Sequence, residues 1–163
     1  ICVLYNKKEK FKPNDIKYET QNLKVYFMDF TNRLKPDSSC IETPCKILLN
    51  NINNSKKSID FAIYGFGKVP KIETALKNAQ SRGVKIRYII DENSSHKNIY
   101  EKTDELKENL KNFKTDYKNN ETKKFNDFIM HNKFFIFDEN KVWTGSSNIT
   151  SKLSLLAKRF FHP

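Results

Sequence analysis

Length, composition and charge set the first limits on this chain. Its 163 residues, 37% hydrophobic and 13% aromatic, fit one folded domain with a buried core and exclude a disordered polymer. With 30% charged residues and no long apolar run, the sequence predicts a polar surface and no transmembrane segment. The net charge of +11 favours a polyanionic partner, although a genome biased toward lysine and asparagine would produce a similar surplus.

Strands and helices are predicted to alternate along most of the chain. Thr43-Pro44 and Pro70 are helix-start signals, and Gly83 is a helix-stop signal. The predicted elements, in chain order, are a strand at 23–27, a helix at 43–52, a strand at 59–66, a helix at 70–83, a strand at 84–90 and a weaker, polar helix at 99–113.

This alternation predicts an α/β layered domain with a mixed, largely parallel sheet flanked by helices. Functional sites in such sheets gather at the carboxyl ends of strands. Asp91 follows a predicted strand, where it would either line a cleft or cap the following loop. The nearly continuous apolar run at 59–66 is typical of a strand covered on both faces.

The most specific pattern is a His-x-Lys pair, His131 and Lys133, with Asp138 five residues later and a Gly-Ser-x-Asn segment ending at Asn148. Residues two apart on a strand point to the same face, so His131 and Lys133 should project together. Residues 138–144 predict a turn and a returning strand, which would carry Asn148 back beside His131.

These residue types suit phosphodiester chemistry. The imidazole of His131 can attack phosphorus to form a phosphohistidine, while Lys133 and Asn148 donate hydrogen bonds to the non-bridging oxygens. Ser146 is expected to support the Asn148 loop or to touch phosphate, and Asp138 to accept backbone hydrogen bonds that fix the hairpin. In so lysine-rich a chain the first part of the pattern arises readily by accident, and the added Gly-Ser-x-Asn makes the interpretation specific.

The pattern, together with segments 56–64 and 79–91, resembles the HKD motif and preceding strands of the phospholipase D superfamily across about residues 23–150. A single copy of the motif resembles the small bacterial endonucleases of that superfamily. The resemblance implies a hydrolase that needs no metal or cofactor and cleaves DNA or RNA, with DNA preferred. It also implies a homodimer in which two copies of His131 share one active site.

The predicted organisation has three parts. They are an N-terminal extension or remnant of a targeting segment at 1–22, a phospholipase D-like catalytic domain at 23–150, and a C-terminal tail at 151–163. Single-motif members continue past Gly-Ser-x-Asn into a helix and a strand carrying a carboxylate that orients the histidine. No acidic residue follows Glu139 here, which leaves open whether the tail is truncated and which residue orients His131.

The cysteines indicate the cellular compartment in which the protein resides. Cys40 and Cys45 could form a small disulfide loop, which leaves Cys2 over. This pair and the apolar start of the chain favour a bacterial periplasmic or secreted setting. The remaining histidines, His96 in a polar loop and His162 in the tail, are not expected to belong to the site.

Other functions stay open beside the endonuclease. A phospholipase D-type lipid hydrolase would use the same chemistry, and an inactive nucleic-acid-binding fragment or one half of a two-motif enzyme would carry the same pattern. The basic stretch 114–124 either holds nucleic acid or is merely solvated.

Overall fold

A computed structural model describes residues 16–26, 39–40, 43–116 and 127–150 of the chain. Within these ranges the chain forms seven strands and three helices. The elements are β1 (Ile16–Glu19), β2 (Lys24–Tyr26), α1 (Thr43–Asn54), β3 (Ser58–Ile63), α2 (Pro70–Ser81), β4 (Lys85–Ile90), α3 (Glu101–Asn109), β5 (Phe113–Thr115), β6 (Lys133–Phe137) and β7 (Lys141–Thr144).

Five strands form a mixed sheet in the order β5-β4-β3-β6-β7. β3 pairs in parallel with β4, and β4 with β5, because α2 and α3 return the chain to the same edge before each new strand begins. β6 pairs antiparallel with β3, and β7 with β6. The predicted α/β domain with a mixed sheet is thereby confirmed, as is the closing hairpin.

Local sequence signals explain where the helices begin and end. α1 starts at Thr43, and α2 starts at Pro70, where the missing proline N–H leaves no helical hydrogen bond unmade. Gly83 follows α2 with a φ of 89°, a left-handed conformation that glycine adopts without steric penalty. The apolar stripes of the two helices are buried; they include Cys45, Leu48, Ile52, Ile72, Ala75, Leu76 and Ala79.

The core lies on one face of the sheet. On β4, Ile86, Tyr88 and Ile90 are buried while Lys85 and Arg87 are exposed, as the two-residue period of a strand requires. The three helices contribute their buried residues to the same cluster as β3, β4 and β6. This cluster supports the carboxyl ends of the parallel strands, where the candidate site is found.

Some sequence-based assignments differ from the structure. The predicted first strand is β2, which pairs with an unpredicted β1 in a separate two-stranded sheet. The third helix is shorter than predicted: Ile99 precedes it and Phe113 belongs to β5. Asn112 adopts a φ of 61°, which turns the chain so that Phe113 pairs in parallel with Tyr88. Residues 114 and 115, predicted as loop, therefore lie in a strand.

Cys40 and Cys45 form a disulfide, and both residues are buried in the core cluster. Other sequence-based expectations concern Cys2, Phe27, residues 117–124 and the tail at 151–163 with His162, all of which lie outside the described residues. In the part of the chain that is described, no helix is long and apolar enough to cross a membrane. The boundaries proposed at 22/23 and 150/151 stay predictions.

Candidate active site

Strand pairing determines where Lys133 lies. β6 runs antiparallel to β3 with Lys133 opposite Ile63, so Lys133 occupies the core face at the carboxyl end of β3. Lys133 is only 6% exposed. The predicted placement of His131 on the strand was wrong by two residues, because β6 begins at Lys133. His131 precedes β6 and is exposed, and the neighbouring Asn132 carbonyl accepts the Tyr64 N–H at 3.0 Å.

Tyr64, which follows β3 directly, brings His131 and Lys133 together. The His131 ring contacts the Tyr64 ring edge-on, with centroids 5.0 Å apart. The Lys133 Nζ lies 5.5 Å from the centroid of the same ring and donates a 2.8 Å hydrogen bond to the His131 carbonyl. The His131 imidazole and the Lys133 ammonium therefore both lie against the Tyr64 ring, although His131 is not on the strand.

Asn148 reaches this region from the other side of the hairpin. Ile149 forms a parallel bridge with Phe66, with Gly67 N–H donating to the Ile149 carbonyl at 2.6 Å. This pairing holds Asn148 at 5% exposure, where its Nδ2 lies 3.1 Å from the Tyr100 Oη. The Tyr100 ring in turn packs edge-on against Tyr64 at 6.1 Å between centroids. The three residues predicted to act on phosphate thus surround one pair of tyrosines.

The surroundings favour a neutral imidazole. Desolvation lowers the pKa of His131, and the positive charge of Lys133 lowers it further, while the carboxylate of Asp91 opposes both. Desolvation also lowers the pKa of Lys133. An imidazole with a depressed pKa keeps its lone pair at neutral pH, which a nucleophile requires.

Asp91 follows β4 and is 1% exposed. Its carboxylate accepts the N–H of Met130, the residue before His131, at 2.8 Å. This contact ties the segment before His131 to the end of β4, and the two roles expected of Asp91, lining a cleft or capping the following loop, stay predictions. A buried negative charge here also explains why Asp91 raises the pKa of His131.

Asp138 lies at the opposite end of β6. Its carboxylate accepts the backbone N–H groups of Lys56, Lys57 and Ser58 at 2.7–3.1 Å. These hydrogen bonds, led by that of Lys57, lower the pKa of Asp138. Because a strand rises about 3.4 Å per residue, Asp138 lies about 17 Å along the strand from Lys133. Its contacts reach the start of β3 rather than staying within the hairpin, and they place it away from Lys133 and His131.

The remaining candidates lie apart from the tyrosine pair. Ser146 is exposed and lines an open groove bordered by the β1–β2 hairpin, α1 and β7. The side chain of His96 is 62% exposed, as expected, with its Nδ1 at 3.4 Å from the Glu92 carboxylate. The described ranges contain no group of three or more His, Cys, Asp or Glu residues that could hold a metal ion.

Sequence reasoning missed both tyrosines. Tyr64 had a detectable signal, since it follows β3 just as Asp91 follows β4, and the ends of neighbouring parallel strands meet at one edge of a sheet. Tyr100 had none, because it stands in a polar stretch before α3 and reaches Asn148, 48 residues away, only through the fold.

Comparisons with known proteins identify related sequences and structures. A family model described as "Cardiolipin synthase, PLD-like domain" matches residues 48–156. The Phospholipase D of Rickettsia conorii is 37% identical over 117 residues, which cover 70% of this chain and 54% of that protein. The Phospholipase D of Rickettsia prowazekii is 36% identical over 116 residues, covering 69% and 52%. The chain thus spans about half the length of these curated relatives.

Two solved structures share the fold. The phospholipase D family member Nuc from Salmonella typhimurium aligns with a TM-score of 0.52 and 29% identity, covering 66% of each chain. NucT from Helicobacter pylori aligns with a TM-score of 0.52 and 28% identity, covering 68% of this chain and 70% of the other. The match to more than half of the sequence, on the residues that surround the two tyrosines, shows that this chain belongs to the phospholipase D-like family.

Proposed function

We propose that this domain is a metal-independent phosphodiesterase that cleaves nucleic acid through a covalent phosphohistidine on His131. The main support for this proposal is that His131 and Lys133 pack against one tyrosine ring and that the pKa of His131 is lowered. This arrangement combines a neutral nucleophile with a cation that stabilises developing negative charge.

The reaction proceeds in two displacements. An imidazole nitrogen of His131 forms a bond to phosphorus while the bond from phosphorus to the leaving oxygen breaks, and a protonated second imidazole gives its proton to that oxygen. The second imidazole then takes a proton from water, which attacks phosphorus and breaks the P–N bond. Lys133 and Asn148 donate to the non-bridging phosphate oxygens in both steps. Asp138 and Ser146 have supporting roles.

The second imidazole is supplied by another copy of the chain in this proposal. The chain contains a single His-x-Lys motif, and the Nδ1 of His96 lies 3.4 Å from the Glu92 carboxylate of its own loop. A twofold dimer places two equivalent copies of His131 at one shared site. Sedimentation equilibrium should give the mass of two chains, whereas a fully active monomer would contradict the shared site.

The charge of the chain supports nucleic acid as the substrate. A net charge of +11 favours a long polyanion, because each lysine that neutralises a phosphate releases condensed counterions. A nucleic acid, with DNA preferred, offers this repeated charge, whereas a zwitterionic lipid headgroup does not. Binding should accordingly weaken steeply as the salt concentration rises.

The direct test is cleavage of plasmid DNA in the presence of EDTA by the wild-type chain and by His131→Ala. We expect cleavage by the wild type and a loss on the order of 10⁴-fold or more in the variant, because the nucleophile is removed. His131 is exposed, so the variant should fold normally. Activity that disappears in EDTA, or that survives in His131→Ala, would contradict the mechanism.

A lipid phosphodiesterase is the second candidate, favoured by the relatives named Phospholipase D. Phe128 is 94% exposed three residues before His131, and Ile129 is 42% exposed, which offers apolar contacts beside the nucleophile. Hydrolysis of phosphatidylcholine vesicles, measured by choline release under the same conditions, separates the two. Faster turnover of the lipid than of DNA would favour this candidate over the nuclease.

A further inference from the structure

The amide of Asn148 has one end paired and one end unpaired. Its Nδ2 lies 3.1 Å from the Tyr100 Oη, and its Oδ1 is buried without a hydrogen-bond partner among the described residues. A buried carbonyl oxygen without a hydrogen-bond donor is unfavourable. Either a donor must approach this oxygen, or the amide must rotate so that its nitrogen occupies the position. With Tyr100 at one end, the buried Oδ1 end is the one that lacks a partner in the described part of the chain.

The two ends of an asparagine amide exchange places by a rotation of about 180° around the last side-chain torsion. After this rotation the Tyr100 O–H donates to Oδ1, and the NH₂ group occupies the unpaired position. An amide oxygen in that position would repel a phosphate oxygen, whereas an NH₂ group donates a hydrogen bond to it. The rotated orientation therefore suits an anionic substrate better, because it replaces the amide oxygen at this position with the NH₂ group.

We propose that the Tyr100 hydroxyl is a positioning group, which holds the Asn148 amide with its NH₂ directed at the substrate phosphate. This inference rests on the proposed function, in which Asn148 binds the phosphoryl oxygens, and identifies how the fold orients that contact. Tyr100 itself does not touch the reacting atoms in this scheme.

The support of Tyr100 is rigid. A Cβ at Gly65 would collide with the Tyr100 ring, so the ring lies directly over the backbone after β3. The Tyr100 N–H donates to the Asn98 Oδ1 at 2.7 Å. The buried Asn98 amide also donates to the carbonyls of Tyr64 at 2.8 Å and of Asp91 at 2.7 Å. The hydroxyl is thus fixed relative to the strand ends that surround His131.

A double-mutant cycle tests the proposal with the nucleic-acid cleavage assay. Asn148→Ala removes the phosphate donor and should lower kcat by about 10²- to 10³-fold, as for a lost oxyanion donor. Tyr100→Phe keeps the ring over Gly65 and removes only the hydroxyl, and we expect kcat to fall by about 10-fold with a smaller change in KM. In the Asn148→Ala background, Tyr100→Phe should have no further effect, because its action passes through Asn148.

Tyr88→Phe is the matched control. The Tyr88 hydroxyl donates to the carbonyls of Leu106 and Leu110 at the end of α3, at 3.0 and 3.1 Å, away from Asn148. This variant should lower the Tm and leave kcat unchanged, whereas Tyr100→Phe should lower kcat. An unchanged kcat in Tyr100→Phe, or a loss of equal size in the Asn148→Ala background, would overturn the positioning role.

Inorganic phosphate provides a readout that does not depend on turnover. Calorimetric titration should show weaker phosphate binding by Tyr100→Phe than by wild type, and no difference between Asn148→Ala and the double variant. Equal phosphate affinities of wild type and Tyr100→Phe would overturn the inference. A wild type that binds phosphate in this Tyr100-dependent way but cleaves no nucleic acid would contradict the proposed substrate and leave the positioning role supported.

Discussion

At the start of β6, Lys133 and the preceding His131 pack against the ring of Tyr64, whereas just past its end Asp138 accepts three backbone N–H groups from the start of β3. The two groups belong to one eight-residue pattern and lie at opposite ends of β6. At the start of β6, desolvation lowers the pKa of both His131 and Lys133. Just past its end, backbone hydrogen bonds lower the pKa of Asp138. One contiguous motif therefore has the proposed catalytic groups at one end and a structural carboxylate at the other.

Lys133→Met should give the largest difference between the two ends. Removal of the buried cation should lower kcat by about 10²- to 10³-fold, because the developing phosphoryl charge loses a donor. It should also raise the pKa of His131, since Lys133 now lowers it. The acid limb of kcat/KM should therefore move to higher pH, as followed by initial rates from pH 4 to 9.

Lys85→Met is the control for that variant. Lys85 is exposed at the amino end of β4, away from the candidate site, and its replacement should leave both kcat and the acid limb unchanged. Equal behaviour of the two lysine variants would mean that Lys133 contributes only to the overall charge.

Asp138→Asn should affect stability rather than chemistry. Loss of the charged acceptor should reduce the free energy of unfolding by about 1–2 kcal/mol at neutral pH, allowing for solvent screening, with kcat per folded molecule retained. Since folding lowers the pKa of Asp138, its stabilisation is present above the unfolded-state pKa and is lost as the pH falls through the lower folded-state pKa. Urea unfolding at several pH values measures both effects.

Glu139→Gln, at the adjacent exposed carboxylate, is the comparison for Asp138→Asn and should change stability little. If Asp138→Asn instead lost kcat at unchanged stability, the division of the motif into two ends would be wrong.

The smallest expected effect is a pH shift in Asp91→Asn. The variant keeps an oxygen that can accept the Met130 N–H and removes the charge that raises the pKa of His131. The acid limb of kcat/KM should move to lower pH, opposite to the shift expected for Lys133→Met. Asp60→Asn, whose carboxylate pairs with Arg87, should not move it. A shift to higher pH in Asp91→Asn would show that Asp91 acts on His131 mainly by positioning.

Much of the fold follows from local signals. Pro70 and Gly83 bracket α2, the apolar run at 59–66 overlaps all of β3 but its first residue, and the run at 84–90 contains β4. The short strands β1 and β5 could not be predicted, because three or four residues carry too little periodicity and their pairing depends on neighbours. Phe113 illustrates this, since it belongs to a strand only through its pairing beside Tyr88.

The chemical groups of the candidate site can be identified from local sequence. His131, Lys133 and Asn148 are recognisable from the spacing of one motif and from a short turn that returns the chain beside itself, both of which are local properties. What surrounds these residues depends on the tertiary structure. Tyr64, Asp91 and Tyr100 come into contact because β3, β4 and β6 are neighbours in one sheet, and Asp138 meets Lys56, 82 residues away, for the same reason. The pKa of His131 is lowered by desolvation and by its neighbour Lys133 and raised by Asp91, and the local pattern in the sequence contains neither the desolvation nor the opposing charge of Asp91.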